Sequence, residues 1–264
     1  FVHLHNHSDY SLLDGAQQVG QLINTIDDLN MDSVALTEHG NMFSVLPYYK
    51  AAKKAGIKPI VGCEIYVAVG SRFEKKTTTE YGWGNNHLIL LAQNYTGYKN
   101  LMKLVTAGYL EGFYYRPRVD IDLLRKYNEG LICMSACLKG EVPERMLKGD
   151  YEGAKKAAIT FSEIFPGRYY LEIQNHGIPE EEANLKNMKK LAEELDLPLV
   201  CTNDAHYSRK EHWEAHDIHI CLGTGKERSD PNRLRYATPE FYFKSQDEMH
   251  KLFKGFPNAI ENTR

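Results

Sequence analysis

Seven short apolar runs alternate with helix-patterned stretches along this 264-residue chain, and that alternation constrains the fold more than any other feature. The runs cover residues 2–5, 34–37, 60–67, 87–92, 131–135, 169–173 and 199–202, each the right length for a buried strand. Between them, Val19, Leu22, Ile23, Ile26 and Leu29 recur at helical spacing. So do Ala154, Ala157, Ala158, Phe161, Ile164 and Phe165, and again Leu185, Met188, Leu191, Ala192 and Leu195. Glycine or proline punctuates the helix-to-strand turns at Gly56, Pro59, Pro166, Gly167 and Pro198. Strands alternating with helices predict a parallel sheet covered by helices, either a barrel or a doubly wound open sheet. No glycine-rich phosphate loop follows the first run, which weighs against the nucleotide-binding open sheet. Residues 70–86 and 109–119 read as irregular surface loops.

Composition narrows the class. With 42% apolar and 25% charged residues the chain is globular, and its length needs no disulfide or metal merely to own a core. A net charge of −3 excludes a globally basic nucleic-acid surface, though not a local patch. No apolar run approaches the roughly 18 residues of a membrane span, and no signal peptide opens the sequence. Five cysteines without paired spacing suit a reducing cytoplasm. The chain begins at Phe1, and Pro257 onward reads like the start of another helix. Residues 1–264 are therefore expected to be one domain excised from a larger polypeptide.

Histidine is the unusual entry, at 11 residues, and its placement carries chemistry. His5 and His7 end the first run, His39 ends the second, Glu64 lies in the third and His87 opens the fourth. Cys137 follows the fifth run, His176 the sixth, and Asp204 and His206 end the seventh. In a parallel barrel such ends share the face where active sites are built. Imidazole, carboxylate and thiolate are the zinc-type donor set. The i, i+2 pairs His5/His7 and Asp204/His206 point to one side of an extended chain. A carboxylate such as Glu64 can bridge two ions, and clustered metals activate water and clamp a phosphoryl group. Taken singly, each histidine reads as a core residue, Cys137 as a small hydrophobe and Asp14 as a turn residue. Their recurrence at one topological position predicts a multinuclear metal site, because such groups are costly to bury unpaired.

The strings His5-Asn6-His7, Thr37-Glu38-His39, Gly62-Cys63-Glu64, His87 and Asn203-Asp204-Ala205-His206 resemble the PHP (polymerase and histidinol phosphatase) superfamily. Residues 1–15, 94–101, 172–177 and 237–242 extend the resemblance over the whole chain. They are most similar to the PHP domains at the N-termini of bacterial DNA polymerase III alpha subunits. The resemblance implies a distorted seven-stranded (β/α) barrel holding three divalent metals, zinc first, with manganese or iron as alternatives. It implies that His5, His7, Glu64 and Asp204 hold one ion, that Glu64, His87 and Cys137 hold a second, and that Asp14, His39 and His206 hold the third. His3 and His176 would stand behind the ligands, His176 with a substrate contact as its other reading.

The same resemblance implies phosphodiester hydrolysis, a 3′–5′ proofreading exonuclease in which Asp204, His206 and Glu64 are catalytic. The implied partners are a DNA 3′ end, downstream polymerase domains and other replisome subunits, in the cytoplasm and away from membranes. Arg116, Arg118, Lys139 and Arg209 are candidate contacts to the DNA backbone, and Tyr114, Tyr115 and Tyr207 candidate stacking rings. The alternatives are a small-molecule phosphomonoesterase and a non-catalytic, metal-stabilised module of the polymerase.

Overall fold

A computed structural model describes residues 1–76 and 84–264, so part of the expected loop over 70–86 lies outside the described residues. Its strands are β1 (Ser33–Leu36), β2 (Lys58–Ala68), β3 (Asn85–Ala92), β4 (Arg118–Val119), β5 (Leu131–Met134), β6 (Tyr169–Ile173) and β7 (Leu199–Cys201). They pair in the order β1-β2-β3-β5-β6-β7, with the short β4 added beside β2. The sheet curls into a distorted barrel, and the N-terminal segment closes it. His3 bridges Val34 on one side, and Asn6 bridges Ala205, beyond the end of β7, on the other. The Ala35 N–H donates to His3 O at 2.8 Å, and the His7 N–H donates to Ala205 O at 2.9 Å. The first apolar run is thus the seam of the barrel rather than a continuous strand. The seventh strand is the unforeseen β4.

A second correction concerns direction. β1/β2, β5/β6 and β6/β7 are parallel, but β3 is antiparallel to both β2 and β5. A parallel return needs a crossover, usually a helix, and the β2–β3 link shows none among the described residues. The reversal has a consequence for chemistry. His87 opens its strand, so in an all-parallel barrel it would lie opposite the other ligands. Running antiparallel, β3 brings His87 to the end where the parallel strands finish.

Helices cover the outside: α1 (Val19–Asp28), α2 (Val45–Lys54), α3 (Tyr95–Leu110), α4 (Ile121–Lys126), α5 (Glu141–Leu147), α6 (Tyr151–Ile164), α7 (Pro179–Leu195), α8 (Trp213–Thr224), α9 (Gln246–Leu252) and α10 (Pro257–Glu261). The helical spacings bury the faces expected of them: Leu22, Ile23 and Ile26 on α1, Ala154, Ala158 and Phe161 on α6, Met188 and Leu191 on α7. Asn94, Asp120 and Asp150 accept from the first free N–H groups of α3, α4 and α6, and Ser245 with Glu248 forms a capping box on α9. A smaller apolar cluster of Val2, Leu4, Ala35, Ile89, Leu91, Met134 and Val200 draws on the seam, β1, β3, β5 and β7, as a filled barrel interior does. No helix among the described residues is long and apolar enough to cross a membrane.

Candidate metal centre

The ligand-type residues converge at one end of the barrel, and sharp turns aim several of them. Asp204 has φ of +42° and Ala136, just before Cys137, has +64°; both are unusual for residues with a side chain. Gly40 follows His39 at φ +63°, and a Cβ there would lie 2.8 Å from both Pro117 and Tyr66. Only glycine fits that turn without moving its neighbours.

Glu64, on β2, is the hub. Its Oε2 lies 3.0 Å from His5 Nε2 and 3.7 Å from His7 Nε2. Its Oε1 faces the other way, 2.6 Å from His39 Nδ1 and 2.9 Å from His87 Nδ1. Asp204 Oδ1 lies 3.2 Å from the Nε2 of both His5 and His7. Cys137 Sγ is 3.8 Å from His87 Nδ1. Asp14 Oδ1 lies 3.1 Å from His39 Nε2, and Asp14 Oδ2 lies 3.9 Å from His206 Nε2. Three sets of donor atoms, each within 4.8 Å of one another, emerge: His5/His7/Glu64, Glu64/His87/Cys137 and His7/His39/His206.

A surrounding layer fixes which ring nitrogens face inward. Glu172 Oε1 accepts from His5 Nδ1 at 2.7 Å, and Gln174 and Thr202 also donate to that oxygen. Ser11 spends its hydroxyl proton on Glu38 Oε2, so His7 Nδ1, 3.1 Å from Ser11 Oγ, is the donor of that pair. His206 Nδ1 donates to Asp204 O at 2.7 Å. Nε2 of all three rings therefore faces the site. Partners that orient imidazoles in this way are the usual companions of metal-bound histidine.

The donor set fits divalent metal on three counts. His7 Nε2 with Asp204 Oδ1, and His39 Nε2 with Asp14 Oδ1, are buried as ion pairs and form no well-directed hydrogen bond, which leaves donor atoms that a cation can take. Five buried carboxylates gather here, and the ionic partners of Glu64, Asp204, Asp14 and Glu172 are imidazoles. The separations also suit ligation. Donors around a tetrahedral zinc-type ion stand about 3.3 Å apart, and the edges among His5, His7, Glu64 and Asp204 are 3.0, 3.2, 3.2 and 3.7 Å.

Charge is strongly perturbed. Burial and the neighbouring His39 and His206 push His7 down to about 3. Burial opposes a charge on His5, but Asp204 and Glu172 outweigh it and raise that ring well above its ordinary value. Asp204 and Asp14 fall far below the usual carboxylate range because imidazoles outweigh their burial. Burial and nearby Asp204 and Glu64 push the Cys137 thiol up. A cation would replace the proton on His5 Nε2 and on the Cys137 thiol, so ligation here releases protons.

The residues expected around the rim divide. Arg116 is exposed, 5.6 Å over the Tyr66 ring, which in turn meets His87 edge-on. Lys139 is exposed, and its carbonyl accepts from the His87 N–H. Arg118 is not a surface contact: it is 1% exposed and donates to the carbonyls of Gly112, Arg72 and Glu74. His176 is fully buried, bonded to Glu181 and Asn203 O and stacked on Phe241, so it props the 203–206 turn and has no open face for substrate. Arg209 pairs with Asp28 at the end of α1. Tyr207 is buried, while Tyr115 is exposed beside Tyr114. His3 is buried against Phe1 and Phe243, away from the donor atoms, and bonds Lys244 O.

Sequence reasoning missed two participants. Glu172 had a signal, a carboxylate inside the apolar sixth run. Tyr236 had none; it comes from the segment between α8 and α9, and its hydroxyl lies 2.8 Å from His206 Nε2.

Comparison with known proteins agrees with this fold. A family model described as "PHP domain" matches residues 3–176, and the chain belongs to that family. Within it, the chain is similar along its whole length to the DNA polymerase III subunit alpha of Borreliella burgdorferi, 51% identical over 263 residues, all of this chain and 23% of the relative. The same subunit of Treponema pallidum is 48% identical over 264 residues, again all of this chain and 22% of the relative. That of Campylobacter jejuni is 41% identical over 274 aligned positions, with the same shares. The chain thus spans less than a quarter of the length of these relatives. One solved structure, an amidohydrolase from Chromobacterium violaceum, superposes at a TM-score of 0.49 with 13% identity, over 83% of this chain and 96% of that one.

Proposed function

We propose that residues 1–264 form one PHP domain of a replicative polymerase chain and hydrolyse phosphodiesters at a DNA 3′ end, as a 3′–5′ exonuclease in the cytoplasm. Glu64 carries this reading. One carboxylate faces two sets of imidazoles with its two oxygens, the arrangement that spans a pair of ions. Bound divalent ions would supply Lewis-acid stabilisation of the phosphate and a water ionised near neutral pH. The protein's part is positioning. His5, His7, Glu64 and Asp204 hold the first ion; Glu64, His87 and Cys137 hold the second; Asp14, His39 and His206 hold the third. Zinc suits the thiolate-bearing position best. Glu172 and Ser11 lock the His5 and His7 rings so that the donors need no reordering. Exposed Arg116 and Lys139 flank His87 and would take the DNA backbone. All five cysteines are free, which supports a reducing compartment. Whole-chain similarity to polymerase subunits favours DNA over small phosphomonoesters and supports other replisome subunits as partners.

The test is a 3′-mismatched primer set against a panel of phosphomonoesters, each with zinc, manganese or iron. Release of 3′ nucleotides is the expected result, and Asp204→Asn should lower it at least about 100-fold with the circular dichroism spectrum unchanged. Turnover of monoesters alone would refute the exonuclease reading. Full metal loading without cleavage, in the domain and in the full-length polymerase, would leave a structural module.

A further inference from the structure

Tyr236 reaches the group of Asp14, His39 and His206, and neither the sequence pattern nor the family resemblance assigns it. It sits on the segment between α8 and α9, which is strapped down at a distance from the metal centre. Arg233 donates to both oxygens of buried Asp217, at 2.6 and 2.8 Å, and Arg228 adds a bond at 3.2 Å. The Tyr236 ring packs edge-on against Phe241 at 4.5 Å and His216 at 4.8 Å. Those contacts leave the hydroxyl aimed at the third group of ligands: 2.8 Å from His206 Nε2 and 3.4 Å from Asp14 Oδ2.

We propose that the phenol oxygen of Tyr236 is the fourth donor to the third ion, beside Asp14, His39 and His206. This rests on the three-ion reading of the site and is independent of the substrate. The separations support it. His39 Nε2 to Asp14 Oδ1 is 3.1 Å, and the two Tyr236 distances bracket the same value. All three are near the roughly 3.3 Å edge of a tetrahedral zinc-type shell, although Asp14 meets His39 with Oδ1 and Tyr236 with Oδ2, and the edge from Oδ2 to His206 Nε2 is longer at 3.9 Å. Asp14 Oδ1 and His39 Nε2 are also buried, and beyond their contact with each other they have no hydrogen-bond partner. His206 Nδ1 is spent on Asp204 O, so its Nε2 lone pair is what the phenol meets while no ion is there. Four protein donors make a closed shell, the mark of a structural ion. Catalysis would then fall to the pair spanned by Glu64, and the third ion would tie the strap to the barrel.

The experiment follows stepwise Zn²⁺ binding to metal-free protein, by competition with a chromophoric chelator, in wild type and Tyr236→Phe. The substitution keeps the ring and its packing, and the two steps that it does not touch report that the fold is intact. One of the three steps, whichever its order, should weaken at least about ten-fold, no less than the loss of an outer partner usually costs, and the other two should be unchanged. Loading with Fe³⁺ supplies a second readout. There the phenol O–H bond breaks, the proton goes to buffer and an Fe–O bond forms. A phenolate-to-iron charge-transfer band should appear in wild type and be absent from Tyr236→Phe. Three steps all unchanged or tightened would overturn the proposal, because the hydroxyl would then only cap His206. So would a wild type without a third step, which would also remove the three-ion reading. Three steps with the expected response, but no DNA cleavage, would sustain this proposal and refute the exonuclease.

Discussion

Single residues at this site are defined by what they lack as much as by what they touch. Asp204 and His7, and Asp14 and His39, each bury an oxygen and a ring nitrogen that face only one another's charge, with no hydrogen bond to a further group. Buried polar atoms are ordinarily saturated, so a cluster of such atoms marks a place that a ligand can complete. Arg118 shows the opposite pattern. Its guanidinium answers three backbone carbonyls that nothing else would satisfy. Arg118→Ala is expected to lower stability by about 2–3 kcal/mol, seen as a lower urea midpoint, while KM for DNA stays as in wild type. A raised KM with unchanged stability would restore Arg118 to the rim. The convergence of these side chains was legible in sequence because imidazole and carboxylate at apolar strand ends are conspicuous. Arg118, and the substrate-contact reading of His176, went astray because a charged or polar residue near a loop gives no sign of whether it faces water or buried carbonyls. Tyr236 was invisible for a different reason: a tyrosine 30 positions beyond the last ligand follows no spacing rule.

Among the elements, β3 and the turn after β1 decide the geometry. Alternating strands and helices were legible, but a strand's hydrophobic pattern carries no direction. The antiparallel course of β3 therefore emerged only from the pairing of Tyr66 with His87 and of Glu64 with Ile89. The same holds for the seam. Residues 2–5 look like a strand in composition, yet they bond to two neighbours only at intervals. The turn at Gly40 is the sharpest test at this scale. Gly40→Ala adds one methyl at positive φ against Tyr66 and Pro117, at a cost of about 1–3 kcal/mol. Because His39 is the preceding residue, the variant should bind the ion at Asp14, His39 and His206 more weakly than wild type in the same chelator titration. Unchanged binding would mean that the turn does not aim His39.

Across the whole molecule, five buried carboxylates meet at one end of a barrel with imidazoles for company. Metal that binds only the folded state stabilises that end by mass action. Free metal at 100 times its dissociation constant contributes about 2.7 kcal/mol per site. In a chain of this size each kcal/mol moves the melting temperature by about 2–4 °C. Chelation is therefore expected to lower Tm by at least about 5 °C, with recovery when zinc is returned. A melt indifferent to chelator would show that the donors balance one another unaided. The measurement closest to the central claim is elemental analysis of protein purified without chelator. The account predicts three zinc-type ions per chain, with fewer in Asp204→Asn; fewer than two in the wild type would contradict it.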